Sequence, residues 1–282
     1  MNIMKWRQFL TPVRSLSAAE AKSFMEKKTG DAFTLLDVRQ PGEYKGRHIP
    51  GAKLIPLADI GTRIKELDAD KPTIVYCAVG GRSRVASQML AGRGFKDVYN
   101  LSGGIKAWES EAAFGPEDLG IDLFSGNESP EEILIAAYSL EQGLREFYLS
   151  MTGKAKNEKI DQLFEKLAAI EVKHQERIFD EYLEITGKTI SRDEFSKDIV
   201  SPAMEGGLTT EEYLARYQPD VEVAAEVISL AMAIEAQSLD LYQRASERTA
   251  SVKSREVLLE IANEERAHLR QLGRLMEVKE NR

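Results

Sequence analysis

The 282-residue sequence predicts a multidomain protein, with a parallel-sheet α/β domain followed by an all-α four-helix bundle containing a long crossover. Three observations carry that prediction. Short apolar runs alternate with helically spaced stretches up to residue 112, four long amphipathic stretches follow residue 129, and parts of the helical half recur at a fixed offset. A chain of this length can bury two cores of ordinary size.

In the first half, "FTLLDV", "AKLIPL", "PTIVYC" and "DVYNL" are short, β-branched and bounded by Gly, Pro or Asp, as strands are. Between the last two, "SRVASQMLAGRGF" has helical spacing from near Ser83 and ends on glycine. This alternation predicts an α/β domain over residues 1–112. Residues 113–128 hold several glycines and a proline and are expected to form a linker. The bundle then occupies 129–282. Its first helix opens at "SPEE", with Ser129 as N-cap and Pro130 at the first helical position. The other three are "NEKIDQLFEKLAAIEVKHQERIFDEYLEI", "DVEVAAEVISLAMAIEAQSLDLYQRASER" and "SREVLLEIANEERAHLRQLGRLMEV". The connection from about Gly187 to Val221 is far longer than an up-down bundle needs, so helices two and three are joined by a crossover.

Charge divides the chain the same way. Residues 1–110 carry 18 Lys+Arg against 11 Asp+Glu, and the remainder 20 against 35, within a net charge of −8. A mildly basic first half suits small anions, and an acidic second half suits solvent or cations. No basic block interleaved with aromatics appears, which argues against a nucleic-acid partner. No run of about 18 apolar residues predicts a membrane span. The N-terminal stretch lacks the apolar core of a secretory signal. The single cysteine, Cys77, excludes an intrachain disulfide and fits a reducing compartment, so a cytoplasmic location is expected.

The helical half repeats itself. Glu141-x6-Tyr148 recurs as Glu235-x6-Tyr242, and Glu171-x-x-His174 recurs as Glu265-x-x-His268, all at an offset of 94 residues. Residues three apart share a helix face, so each Glu and His pair can converge on one point. Glu141 and Glu235 lie mid-helix amid apolar neighbours, where an unpaired carboxylate is costly. Tyr148 and Tyr242 share their faces and can hydrogen-bond a ligating carboxylate. Four Glu and two His from four helices supply ligands for two adjacent divalent ions, the pattern of di-iron and di-manganese carboxylate bundles.

On these residues the half resembles the rubrerythrin branch of the ferritin-like proteins, across nearly all of 129–280. The resemblance implies that Glu171 and Glu265 bridge two metal ions, with Glu141, Glu235, His174 and His268 as terminal ligands. Iron is the expected metal, and the same donors suit manganese or zinc. A homodimer is also implied. Two features depart from peroxide-reducing members of the family. The position that carries a further carboxylate there is Ser238 here, and a four-cysteine rubredoxin module is missing. Electrons are therefore expected from an external donor.

Around Cys77, "TIVYCAVGGRSR" places a thiol at a strand end, before a glycine-bearing turn and a helix. Gly80 and Gly81 permit a tight loop whose backbone N–H groups face the sulfur. The helix N-terminus and Arg82 add positive potential, which favours a thiolate and holds an anion. Ala78, Val79, Gly80, Gly81 and Ser83 are the candidate anion-binding positions, with Cys77 and Arg82 as candidate catalytic residues. Together with "LLDVRQPGEYKGRHIPGA" and "LSGGIKAW", this loop resembles a rhodanese domain over roughly residues 14–112. The six-residue span from Cys77 to Arg82 is the length linked to sulfur transfer, whereas related phosphatases have seven. The resemblance implies a sulfurtransferase in which Cys77 takes sulfur from thiosulfate or a persulfide and hands it to an external thiol or other nucleophile. Asp37 and Arg39 are expected to form an internal ion pair or turn anchor, His48 and Trp108 to be structural, and Arg84 either to add field near the loop or to be a solvated helix residue.

Two functions follow from these residues. One is an enzyme joining persulfide chemistry at Cys77 to redox of O2, peroxide or sulfur species at the metals. The other is an iron-binding or redox-sensing protein whose first domain carries persulfide or docks a partner.

Overall fold

The four apolar runs become four parallel strands. The computed structural model describes residues 12–28, 31–109, 112–153, 158–196 and 204–280. The extreme N-terminus read for a signal sequence and residues 197–203 of the crossover lie outside these. Two units emerge, residues 1–117 and 118–282.

The first unit runs β1 (Arg14–Leu16), α1 (Ala18–Glu26), β2 (Thr34–Asp37), α2 (Pro41–Gly46), β3 (Lys53–Leu54), α3 (Ile60–Arg63), β4 (Thr73–Tyr76), α4 (Gly81–Ala91) and β5 (Val98–Leu101). The sheet order is β1-β5-β4-β2-β3 and every pairing is parallel. The central strand β4 is buried throughout, as a parallel strand covered on both faces must be. One face packs Tyr44, Ile49, Ile74, Tyr76 and Trp108, and the other Leu36, Val75, Cys77, Ala86 and Leu90. Helix α4 begins at Gly81, two residues before the expected start, because Gly80 takes a left-handed φ of 94° and serves as N-cap.

The second unit holds α5 (Pro130–Met151), α6 (Glu158–Thr186), α7 (Arg192–Ser196), α8 (Thr210–Tyr217), α9 (Ala224–Arg248) and α10 (Val252–Glu280). Ser129 caps α5 in a capping box with Glu132, and Pro130 follows it. Helix α5 packs along α6, and α9 along α10. Glu141 and Glu171 thus lie on one pair of helices, Glu235 and Glu265 on the other. The crossover between α6 and α9 carries structure of its own. Phe195 of α7 packs on Tyr138, Phe179 and Tyr182. The turn at Gly206 lies so close to α9 that a Cβ there would meet Gln237 Cγ at 2.6 Å.

Residues 113–128, expected as a linker, are divided between the units instead. Ala113 forms an antiparallel bridge with His48, and Gly115 N–H donates to Lys45 O at 2.8 Å. Ile121 and Phe124, in contrast, are buried in the helical core, where Phe124 meets the Tyr242 ring. The apolar residues decide the assignment here, although glycine and proline punctuate the stretch. Among the described residues no helix is long and apolar enough to cross a membrane.

Candidate active site and metal centre

Cys77 sits directly after β4, 1% exposed, with its loop folded back over the sulfur. Gly80 N–H donates to Sγ at 3.1 Å, and Ser83 Oγ lies 3.4 Å from it. Burial pushes the Cys77 thiol up. The Ser83 hydroxyl and the backbone N–H groups of Ser83, Val79 and Gly80 outweigh burial and hold the thiol below its ordinary range. Of the expected anion-binding positions, Val79, Gly80 and Ser83 therefore present donors to the sulfur. Ala78 uses its carbonyl to accept from Lys106 N–H at 3.1 Å, and Gly81 opens α4. The Val79 side chain is 63% exposed at the rim.

The "LSGG" segment explains how this loop is held. Ile105 N–H donates to Cys77 O at 2.8 Å. A Cβ on Gly104 would lie 2.2 Å from that same oxygen, so only glycine fits beneath the loop.

Arg82 makes a bidentate pair with Glu43 of α2, at 2.8 and 2.7 Å. Arg82 lowers the Glu43 carboxyl to about 2. In return Glu43 raises the Arg82 guanidinium, and the Cys77 charge adds to that. Arg82 is thus anchored by Glu43 while its charge reaches the sulfur. Sequence reasoning placed Glu43 in a motif without seeing this role. Asp37 and Arg39 form a buried pair at 2.6 Å, and His48 is buried against the Tyr44 ring with Nδ1 2.9 Å from Tyr44 O. The residue that sequence reasoning missed is Asn100 of β5, which accepts from Ser83 Oγ at 2.6 Å. A polar side chain inside the apolar run "DVYNL" was its only signal.

In the helical unit the six candidate ligands gather as two triads. Glu141, Glu171 and His174 form one, and Glu235, Glu265 and His268 the other, with the ligand atoms of each triad within 4.8 Å of one another. His174 Nδ1 lies 2.7 Å from Glu171 Oε2 and 3.4 Å from Glu141 Oε2. His268 Nδ1 lies 3.2 Å from Glu265 Oε2 and 3.3 Å from Glu235 Oε2. The two imidazole rings stack with centroids 3.5 Å apart, so the triads are neighbours. All four carboxylates are at most 2% exposed. Tyr148 and Tyr242 are buried on the same helices as Glu141 and Glu235.

The electrostatics show what the pocket lacks. Burial pushes the Glu171 carboxyl well above the usual range, and the charges of Glu141 and Glu235 push it further. Burial also raises Glu235, but the charge and hydrogen bond of His268 overcome it and hold that carboxyl at about 2. Burial lowers His174, and Glu141 more than restores it. Arg177, paired with Glu264, adds one positive charge near His174. Four buried carboxylates exceed the positive charge facing them. Glu141 Oε2, Glu171 Oε2 and His174 Nδ1 are buried without an aligned hydrogen-bond partner. Orphaned oxygen and imidazole donors of this kind fit a divalent cation. A cavity of about 400 Å³ opens onto Glu171, Glu235 and His268, walled by Leu167, Ile170 and Leu272.

Comparison with known proteins follows the same division. The Rubrerythrin family profile matches residues 132–276, half of the chain. The chain belongs to the rubrerythrin family. This rubrerythrin-family protein also carries a Rhodanese-like domain, matched over residues 17–111. Among curated relatives, the uncharacterized protein YqhL of Bacillus subtilis is 46% identical over 74 residues, 26% of this chain and 59% of that one. The rhodanese-like/PpiC domain-containing protein 12 of Arabidopsis thaliana is 39% identical over 102 residues, 34% of each chain. The chain therefore spans less than two thirds of the length of either relative. Thiosulfate sulfurtransferase GlpE of Pseudoalteromonas translucida is 33% identical over 97 residues, 34% of this chain and 90% of that one. A solved rhodanese-like domain protein from Staphylococcus aureus is 30% identical, covering 36% of this chain and 98% of that one at a TM-score of 0.33.

Proposed function

We propose that this rubrerythrin-family protein couples a sulfurtransferase site at Cys77 with a dinuclear metal centre, iron being the expected metal. The observation that carries the reading is the pair of matched, buried triads, which place six donor residues around a pocket short of positive charge. Glu141, Glu171 and His174 would hold one ion, and Glu235, Glu265 and His268 the other. Bound there, two iron ions would supply redox chemistry toward O2, peroxide or a sulfur species. The chain's own residues bury the four carboxylates and keep the imidazole Nδ1 atoms turned toward them. The leucine- and isoleucine-walled cavity admits a small substrate to them.

At the other site the Cys77 thiolate attacks the outer sulfur of a donor such as thiosulfate. A Cys77 Sγ–S bond forms as the donor S–S bond breaks, and sulfite leaves with the bonding pair. The loop N–H groups and Arg82 hold the anionic donor and the persulfide. An external thiolate then takes the terminal sulfur, and Cys77 returns as thiolate. The similarity to a thiosulfate sulfurtransferase supports thiosulfate as donor. A cytoplasmic homodimer served by an external electron donor completes the reading.

Metal content per chain, with a visible spectrum before and after reduction, tests the centre. A thiosulfate-to-cyanide transfer assay on wild type and Cys77→Ser tests the sulfur site. A second reading, an iron-binding or redox-sensing protein with a persulfide-carrying domain, is favoured by one feature. Ser238 is wholly buried and puts a neutral hydroxyl where a further carboxylate would stand. Stopped-flow reoxidation of the reduced, iron-loaded protein separates the two: turnover with peroxide or O2 supports the enzyme, and uptake without turnover supports the sensor.

A further inference from the structure

Behind Cys77, away from the loop, three neutral side chains lead toward the surface. Ser83 and Asn100 are at most 1% exposed. The Ser83 hydroxyl has one proton and two acceptors in reach, Asn100 Oδ1 at 2.6 Å and Cys77 Sγ at 3.4 Å. Asn100 in turn donates through Nδ2 to Ser15 Oγ at 3.4 Å, across the β1–β5 pairing in which Ser15 and Asn100 are partners. The shorter contact gives the Ser83 proton to Asn100, which leaves Ser83 Oγ free to accept from the Cys77 S–H. With its proton so placed the Ser83 hydroxyl itself suits a thiol, whereas the thiolate that the loop N–H groups already favour needs that proton directed at sulfur.

We propose that Asn100 is a positioning residue whose carboxamide turns over as Cys77 ionises, releasing the Ser83 proton to the sulfur. After the turn, Asn100 Nδ2 donates to Ser83 Oγ, Ser83 O–H donates to Sγ, and the exposed Ser15 hydroxyl donates to Asn100 Oδ1. Every buried group keeps a partner in both states, and the two ends of a carboxamide are nearly the same size, so no repacking is required. A persulfide moves the negative charge to the outer sulfur, and the Ser83 proton then reverts to Asn100. The chain of three hydroxyl and amide groups thus favours the attacking thiolate without fixing a charge beside it. Charged groups facing the sulfur are Arg82 of α4 and, through it, Glu43 of α2. The Gly103–Gly104 turn presents backbone to the loop, and β1 and β5 present the neutral Ser15 and Asn100.

This inference deepens the reading of Cys77 as a sulfur carrier, and its test reads the thiolate rather than sulfur transfer. Cys77 is the only cysteine, so the pH dependence of iodoacetamide alkylation reports one thiol. Asn100→Asp, once ionised, can accept but not donate, and holds the Ser83 proton away from sulfur. The alkylation midpoint is expected to rise by more than about one pH unit, a loss of about tenfold in thiolate near neutrality. In a Ser83→Ala background the same substitution is expected to shift the midpoint by clearly less, since only through-space repulsion remains. Equal shifts in both backgrounds, or none in either, overturn the proposal. Should Asn100→Asp not fold, the full wild-type chain supplies a second test. The Asn100 side-chain amide resonances should follow thiolate formation and stay fixed in Cys77→Ala, and an amide that ignores the titration overturns the relay. Intact shifts in a protein that transfers no sulfur support the relay and count against the carrier reading alone.

Discussion

Around Cys77, individual residues work by proximity and conformation as much as by charge. Gly104 has φ of 59°, and any Cβ there would press on Cys77 O. Gly104→Ala should therefore cost on the order of 3 kcal/mol in urea unfolding, and a loss under about 1 kcal/mol would contradict the packing described. Ser83 acts on the sulfur directly. The Cys77 thiol is held below its ordinary value, so its thiolate fraction, and with it alkylation, should rise through a midpoint below that of an unperturbed thiol. Removing the hydroxyl in Ser83→Ala raises that midpoint, so alkylation at pH 7 should slow several-fold. A midpoint unchanged by the substitution would remove Ser83 from the account. At this scale the sequence was informative where spacing repeats, as at Glu171 and Glu265, and silent where one buried amide matters, as at Asn100. A single polar residue in a strand run gives no periodicity, and its partner Ser83 lies across a fold the sequence does not display.

Helices and strands were legible in proportion to their length and apolar pattern. The capping box at Ser129 marked the start of the first bundle helix, and residues of the 94-residue repeat gather as two buried groups that could hold a metal ion. Strand β1, three residues with a mostly exposed pattern, left no trace in hydropathy and exists through pairing with β5. Residues 113–128 failed as a linker because Ala113 and Gly115 bond to the first unit while Ile121 and Phe124 bury in the helical core, which glycine and proline content does not reveal. The bundle helices also carry a prediction. Glu171→Gln keeps the volume of a buried side chain and removes one of four crowded acids. Metal-free stability should change by less than about 1 kcal/mol, since burial already disfavours the Glu171 charge and Gln is a neutral side chain of the same size. The stabilisation gained on adding metal should fall sharply, and a variant that retains it in thermal melts would exclude Glu171 as a ligand.

For the whole molecule, two units with separate cores predict two unfolding transitions. Metal should raise only the transition of the helical unit, by about 2.7 kcal/mol at a hundredfold excess over Kd. A single transition that moves as one would contradict independent cores. The division in charge between the halves follows the same boundary, a mildly basic first half and an acidic second half. The proposed link between them was not legible, since a persulfide acceptor or an electron donor would leave no residue pattern in the chain. The central claim is that residues 94 apart build one dinuclear centre, and metal analysis of the reconstituted full-length protein tests it most directly. Two ions per chain in wild type, falling in both Glu171→Gln and Glu265→Gln, is the result the matched triads predict; fewer than two ions in wild type, or full loading in both variants, would contradict it.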